Sequence, residues 1–194
     1  MRLGVVLLAA GLGTRWRAGN KLLADFGGKP MVCRAMDALT ELTFERAAVV
    51  TGDEQIAALA QEHGMQVVRN GEPELGMSHS IALGVFAMRD MDAVLLMASD
   101  QPLLTVISLR ALIQAYEKSG KGIACLRDET HWGNPAVFGS KYFDALMALT
   151  GDVGAKSVLR ENESDLLIVD CLHPHELEDA DDPDALSRLL RLQR

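Results

Sequence analysis

Leu3-Gly4-Val5-Val6-Leu7-Leu8-Ala9-Ala10-Gly11-Leu12-Gly13-Thr14-Arg15 stands at the start of the chain and decides its fold. The apolar run Leu3–Leu8 contains no polar residue, which is typical of a strand covered on both faces in a parallel sheet. The glycines that follow allow a tight loop whose N–H groups can point at an anion. The sequence therefore begins with a buried strand that leads into a candidate phosphate-binding loop.

Similar apolar runs recur along the chain and alternate with segments of helical period. Strands are predicted at Ala47–Val50, Gln66–Val68, Ala93–Met97, Ile123–Leu126 and Leu166–Val169, with a short extra strand, Ala136–Phe138, whose direction the sequence leaves open. Helices are predicted from Pro30, from Thr105 to a stop at Gly120, and over 53–63, 78–89, 140–149, 153–161 and 182–192. This alternation predicts an α/β fold with a doubly wound, mostly parallel sheet and helices on both faces. Ligands of such sheets bind beyond the carboxyl ends of the strands.

Composition limits the class of protein. The 194 residues, 48% of them apolar, predict a single domain over 1–194 with a core that needs no disulfide or metal. A net charge of −8 argues against binding to nucleic acid or anionic membrane. The three cysteines are widely spaced, the first strand carries no cleavage site, and no apolar stretch approaches about 20 residues. We therefore expect a cytoplasmic protein with small-molecule partners.

The first loop carries positive charge as well as glycine. Arg15 and Lys21 follow the strand and provide charge suited to a triphosphate. The loop is not a Walker A motif and lacks a complete GxGxxG, so a tight turn without a ligand is the alternative. The two cations favour the phosphate-binding interpretation.

Other loops carry carboxylates and glycines. Asp100 follows the predicted strand Ala93–Met97 and is placed to bind Mg²⁺, although it could instead cap the helix near Thr105. Gly76–Gly84 opens a helix with serines that could bind a ribose or base, or simply cap that helix. The segments 133–138 and 151–156 suit a phosphorylated acceptor, or are two glycine turns. The acidic run 179–182 is either metal-binding or a helix start that complements the helix dipole.

Together these motifs resemble the MobA-like nucleotidyltransferases, and most closely the molybdenum cofactor cytidylyltransferase branch. The first loop and Asn20-Lys21-Leu22-Leu23 resemble LAAGxGxR…NKLL, Asp100-Gln101-Pro102 resembles DQP, and Gly76–Gly84 is similar to GxSxSxxxG. Two later segments resemble GxPxxF and GDxGAR, and 179–183 resembles DIDTPED. The chain departs from the family at Trp16-Arg17-Ala18-Gly19, where Met-Gly is usual, so the role of Arg17 stays open.

The resemblance implies a role for each matching residue. Catalysis would rest on Arg15, Lys21 and Asp100, and the metal ion, Mg²⁺ or alternatively Mn²⁺, would bind Asp100 and Asp181. The residues implied to bind the nucleotide are Leu8, Ala9, Ala10, Gly11, Gly13, Arg15, Lys21, Gly76, Ser78 and Ser80. Those implied to bind the acceptor are Asn134, Pro135, Gly151, Asp152, Gly154 and Lys156.

The implied reaction is Mg²⁺-dependent transfer of CMP from CTP to molybdopterin, with release of pyrophosphate. A xanthine-dehydrogenase-type molybdoenzyme, or its accessory chaperone, would be the protein partner. Three alternatives stay open: guanylyl transfer or transfer to a sugar or polyol phosphate, an NAD(P)-dependent oxidoreductase, and a cofactor chaperone without catalysis. The oxidoreductase is disfavoured because Asp53, beyond the second strand, is the only candidate ribose ligand.

Overall fold

One seven-stranded sheet organises the molecule. A computed structural model describes residues 1–11, 16 and 19–193 of the protein. The strands are β1 Leu3–Leu8, β2 Arg46–Thr51, β3 Gln66–Arg69, β4 Ala93–Ala98, β5 Ile123–Arg127, β6 Trp132–Gly139 and β7 Leu166–Asp170. Their order is β3-β2-β1-β4-β6-β5-β7, and β6 alone among these strands runs antiparallel to its neighbours. The predicted strands are confirmed, and the short extra strand is longer than predicted.

The helices follow the predicted segments closely. They are α1 Met31–Thr40, α2 Glu54–Glu62, α3 Met77–Ala87, α4 Val106–Ser119, α5 Phe143–Met147, α6 Lys156–Glu161 and α7 Pro183–Leu192. Thr105 caps α4 by accepting a hydrogen bond from Ser108 N, and Gly120 ends it in the left-handed conformation, as predicted. The helix predicted over 140–149 is shorter, because a 3₁₀ turn precedes α5. Within the described ranges, none of the helices has the length and apolar character needed to cross a bilayer.

Side chains of alternate residues in β1 belong to two separate cores. Val5 and Leu7 lie in one core with α1, α2, α4 and α7, whereas Val6 lies in the other with α3, α5 and α6. A strand that is buried on both faces must be apolar throughout, which explains the uninterrupted run at the start of the chain. The predicted doubly wound sheet with helices on both faces is confirmed.

A glycine allows α3 to lie unusually close to the sheet. A Cβ at Gly84 would lie 2.3 Å from Val6 Cγ1 and 3.1 Å from Val50 Cγ2, so even a methyl group has no room. The last glycine of the Gly76–Gly84 segment therefore serves packing between helix and sheet. It thereby sets the distance between α3 and the sheet.

We expect Gly84→Ala to destabilise the fold by about 2 kcal/mol, because overpacking a filled interior forces backbone and side chains to move. Urea unfolding of the variant measures this loss. The loss should be smaller when Val6→Ala has made room beside residue 84, as the two sites are in contact. Equal losses in both backgrounds would contradict the steric explanation.

Candidate active site

A cavity of about 850 Å³ opens at the carboxyl edge of the sheet, beside β1 and β4. The strand order reverses between these two strands, and crevices at such points are the usual ligand sites of doubly wound folds. Twelve of the residues predicted to form the site line this cavity: Leu8, Ala10, Gly11, Lys21, Gly76, Ser80, Asp100, Asn134, Asp152, Gly154, Lys156 and Asp181. Residues from distant parts of the chain thus come together at one cavity.

Lys21 lies between two carboxylates. Its Nζ is 2.7 Å from Asp100 Oδ2 and 3.0 Å from Asp181 Oδ1. Burial of Lys21 disfavours its charge, but attraction and hydrogen bonding to Asp100, aided by Asp181, outweigh that effect and raise the pKa of the ammonium. The amine is therefore held in its charged form. Both carboxylates are close enough to one point to share an ion or its water shell.

Local structure holds Lys21 in this position. Asn20 Oδ1 accepts a hydrogen bond from Leu22 N and begins the short 3₁₀ turn Lys21–Leu23. Asn20 Nδ2 also donates to Asp53 Oδ2 at 2.9 Å, which ties this turn to the start of α2. Asp53 in turn caps α2 by accepting from Gln55 N. That engagement weakens the oxidoreductase alternative, since Asp53 was its only candidate ribose ligand.

A third carboxylate stands beside the first two. Burial, together with the nearby charge of Asp100, raises the pKa of Asp179 to about 6. Gln101 Nε2 donates to Asp179 Oδ1 at 3.1 Å. Asp100 does not cap α4, which was the alternative, because Thr105 provides that cap.

The donor set fits a hard divalent cation. Carboxylate oxygens are the ligands that Mg²⁺ and Mn²⁺ prefer, and a cation would relieve the repulsion between clustered carboxylates. Among the residues that the structure describes, no group of three or more His, Cys, Asp or Glu side chains is already arranged to hold a metal ion. One or two carboxylates completed by substrate phosphates are enough for Mg²⁺, so the two findings agree.

The acidic run 179–182 lies in the segment that follows β7. A buried residue of this segment, Glu176, holds the run near Asp100. Glu176 is 1% exposed and accepts hydrogen bonds from Thr105 N and Oγ1, Ser108 Oγ and His173 N. Just after Glu176, Ala180 N donates to Asp100 O at 2.8 Å. These bonds between distant parts of the chain place Asp181 next to Lys21.

The first turn of α3 contributes backbone and one hydroxyl to the cavity. Gly76 has φ +89°, and a Cβ there would lie 2.5 Å from Gly151 O, so the two glycine turns are in close contact. Ser78 is buried, and its Oγ donates to Gly151 O at 2.7 Å. Ser80 lines the cavity, and its hydroxyl accepts from Asn70 Nδ2 at 2.9 Å. Ser78 thus joins α3 to the turn at 151, and Ser80 is the serine that faces the cavity.

The segment predicted to bind the acceptor lies on β6 and before α6. Asn134 Oδ1 accepts from Ala98 N at 3.3 Å, and its Nδ2 donates to Gln101 Oε1 at 3.2 Å. Lys156 Nζ lies 4.3 Å from the centroid of the Trp132 ring, and both residues line the cavity. This region therefore presents an amide, an ammonium and an aromatic ring.

Some predicted residues lie elsewhere. Ala9, Ser78, Pro135 and Gly151 are outside the cavity lining, and Ala9 N donates to Val50 O. Gly13, Arg15 and Arg17 lie outside the described residues, so the roles given to Gly13 and Arg15 stay predictions.

Several further residues line the cavity; among them, Gln101 and Trp132 were not predicted as ligands from the sequence, and Asp179 was predicted only as part of the acidic run 179–182. Gln101 is 5% exposed and links Asn134 to Asp179. Its position next to Asp100, directly after a strand, is the sequence feature that could have indicated a place in the site. Trp132 has no motif, and only its position before Gly133-Asn134-Pro135 could have indicated it.

Most of the chain is similar to known proteins. The family model of the MobA-like NTP transferase domain matches residues 5–166. The bifunctional protein GlmU of Janthinobacterium sp. (strain Marseille) is 30% identical over 140 residues, which cover 71% of this chain and 30% of that protein. The chain spans less than a third of the length of the curated relatives it matches.

Solved structures show the same fold. The nucleotidyl transferase Mth528 of Methanothermobacter thermautotroptrophicus superposes with a TM-score of 0.81 at 24% identity, covering 98% of this chain and 97% of that one. Rv0371c of Mycobacterium tuberculosis H37Rv, in complex with manganese, gives a TM-score of 0.79 at 23% identity, covering 98% and 99%. At these identities the likeness is one of fold.

Proposed function

The chain belongs to the family of MobA-like NTP transferase domains, and from that membership we propose that it transfers CMP from CTP to molybdopterin, a phosphorylated pterin, with release of pyrophosphate. The observation that carries the proposal is Lys21, held between Asp100 and Asp181 in the cavity that Gly11 also lines. A protonated amine and paired carboxylates at one sheet edge suit the binding of a triphosphate together with its cation.

In the proposed reaction the terminal phosphate of the acceptor attacks the α-phosphorus of CTP, and pyrophosphate leaves. A phosphate nucleophile is already ionised at neutral pH, so the site needs no general base. Lys21 would neutralise charge that builds up on the triphosphate in the transition state. Arg15 is proposed to do the same from the first loop. The residues around the cavity would align the two substrates and thereby reduce the entropic barrier.

Asp100 and Asp181 are proposed to hold the divalent cation, with Asp179 beside them. Bound there, Mg²⁺ would neutralise the charge of the triphosphate and the leaving pyrophosphate. We propose Mg²⁺ for this protein, with Mn²⁺ as the alternative. The manganese complex of Rv0371c, a protein of the same fold, is consistent with a divalent ion in such a site.

The cytidine preference rests on the resemblance of Gly76–Gly84 to the cytidylyl branch. Gly76, which lines the cavity and lies close to Gly151, leaves this wall of the cavity without a side chain at its position. Ser80 places a hydroxyl there that can hydrogen-bond to a base or ribose. A site that bonds the polar groups of one base rejects another whose groups leave them unpaired.

We expect kcat/KM for CTP to exceed that for GTP by about 10²-fold with molybdopterin as acceptor. Pyrophosphate release, measured by a coupled assay with CTP, GTP, ATP and UTP in turn, gives the ratios. Equal or faster release with GTP would overturn the base assignment.

The same assay with different acceptors tests the rest of the proposal. Release with sugar or polyol phosphates, and none with molybdopterin, would replace the acceptor. Binding of molybdopterin without any release would favour a cofactor chaperone. A xanthine-dehydrogenase-type molybdoenzyme, or its accessory chaperone, is the proposed recipient of the product.

A further inference from the structure

Two lysines line the cavity among the residues that the structure describes, and their surroundings differ. Lys21 is neutralised by Asp100 and Asp181. Within the described part of the chain, Lys156 Nζ has no carboxylate at ion-pair distance and lies instead over the Trp132 ring, 4.3 Å from its centroid. A charged amine without a counter-ion in a ligand cavity is prepared to bind an anion.

The sheet places this second amine on the acceptor side of the cavity. Lys21 follows β1, whereas Trp132 begins β6, on the far side of β4 from β1. Because β6 is antiparallel to β4, its first residue lies at the carboxyl edge of β4, near Asp100. Trp132 and Lys156 therefore face the same cavity as Lys21 from the opposite side of β4.

The local backbone keeps Lys156 in contact with this strand. Gly133 has φ +102°, and a Cβ there would lie 3.4 Å from Lys156 Cγ and 3.1 Å from Leu159 Cδ1. The aliphatic part of Lys156 thus runs along the Gly133 backbone, which leads the ammonium to the ring of Trp132. A side chain at residue 133 would crowd Leu159 and would be strained at this positive φ, so the glycine is part of the arrangement.

The contact between ammonium and ring is weak enough to be exchanged. A cation over an aromatic face contributes about 0.5–1 kcal/mol at an exposed site and about 2 when desolvated. A hydrogen bond from the ammonium to a phosphate is charge-assisted and stronger than a neutral one. Trp132 is half-buried and packs against the core that contains α3, so its ring keeps its place when Lys156 moves.

We propose that Trp132 and Lys156 form the acceptor-recognition pair, and that they select an acceptor with a planar heteroaromatic ring and a phosphate monoester. Lys156 binds the phosphate and leaves the ring of Trp132, and the planar ring of the acceptor then stacks on the indole. Stacking of aromatic rings adds about 0.5–1.5 kcal/mol to the burial of their area. The inference rests on the proposed function, in which the acceptor is a phosphorylated pterin.

Intrinsic fluorescence tests the proposal without turnover. The chain has two tryptophans, so Trp16→Phe leaves Trp132 as the only indole. We titrate this protein with the phosphate ester of 6-hydroxymethylpterin, in the absence of NTP, and correct for absorption. The expected result is saturable quenching by the pterin phosphate, and at least tenfold weaker binding of both unphosphorylated 6-hydroxymethylpterin and glycerol phosphate.

Calorimetric binding of the pterin phosphate to variants identifies the residues. Lys156→Met and Trp132→Leu should each weaken binding about tenfold, while Lys156→Arg and Trp132→Phe should restore most of it. Lys141→Met is the matched control, since Lys141 also lies over an aromatic ring, 5.2 Å from the Tyr142 centroid, but pairs with Asp165 outside the cavity. This control should bind as the unmodified protein does.

The outcomes separate this inference from the proposed function. Absence of pterin phosphate binding, or equal binding by Lys156→Met, Trp132→Leu and the control, would overturn the inference. If pyrophosphate release with molybdopterin nevertheless persists, the proposed function stands. If binding depends on Trp132 and Lys156 but no NTP supports release with molybdopterin, the transferase proposal fails and the recognition pair stands.

Discussion

Lys21→Met is expected to lower kcat/KM for the NTP about 10³-fold, a loss of about 4 kcal/mol in transition-state stabilisation. The substitution keeps the length of the side chain and removes one preorganised charge from a partly buried position, where charge is poorly screened by solvent. Pyrophosphate release with molybdopterin measures the loss. Lys29→Met is the matched control, because Lys29 pairs with Asp37 outside the cavity lining and should leave turnover unchanged.

The same substitution should have the opposite effect on metal binding without nucleotide. The Lys21 ammonium lies between Asp100 and Asp181, where a cation would otherwise interact with both. Removing that ammonium frees the two carboxylates, so Mn²⁺ alone should bind more tightly to Lys21→Met than to the unmodified protein. Paramagnetic resonance of free Mn²⁺ gives the affinities. Near-normal turnover together with a normal melting curve would overturn the phosphate-binding role of Lys21.

Much of the fold could be predicted because central strands of the sheet, such as β1 and β4, are buried on both faces. Strands such as β1 must then be apolar throughout, and that signal does not depend on tertiary contacts. The direction and length of β6 could not be predicted in this way. They depend on the strands with which β6 pairs, namely β4 and β5. In addition, the first residue of β6 is followed by glycine, asparagine and proline, which are residues that rarely indicate a strand.

The candidate site could be predicted where a loop follows a strand. Lys21 and Asp100 are such residues, and the structure brings them together. Asp179 could be placed near the site, but its burial could not be predicted, because it follows from Glu176 anchoring on the helix cap at Thr105, 71 residues earlier. Trp132 carries no local signal, since its place in the cavity depends on the antiparallel pairing of β6.

Gly84 illustrates how one motif can combine packing with binding. From the sequence, Gly76–Gly84 is predicted to be a single nucleotide-binding segment. In the structure, its residues have different roles. Gly84 sets the distance between α3 and the sheet, Ser78 fixes the turn at Gly151, and Ser80 with Gly76 lines the cavity. Two residues of the same type in one motif, such as Gly76 and Gly84, can therefore be required for different physical reasons.

Asp100→Asn is expected to lower the maximal rate about 10³-fold, because it removes a metal-binding charge from the site where phosphate charge must be neutralised. Asp181→Asn should lower the rate less, about tenfold, and should raise the Mg²⁺ concentration needed for half-maximal rate. The reason for the difference is position: the Asp100 side chain is 21% exposed and follows β4, whereas that of Asp181 is 49% exposed. A charge nearer to solvent is screened more strongly.

The test is a set of Mg²⁺ titrations of pyrophosphate release, with CTP binding measured separately in EDTA. Both variants should bind metal-free CTP at least as well as the unmodified protein, since each loses a negative charge beside the triphosphate. Asp184→Asn is the matched control, because this exposed aspartate lies in the first turn of α7 and outside the cavity lining. High Mg²⁺ should restore Asp181→Asn largely and Asp100→Asn hardly at all. An unchanged Mg²⁺ dependence in Asp181→Asn would contradict a metal-binding role for Asp181. Asp181 would then be only an acidic residue near the start of a helix, and Asp100 would bind the ion without it.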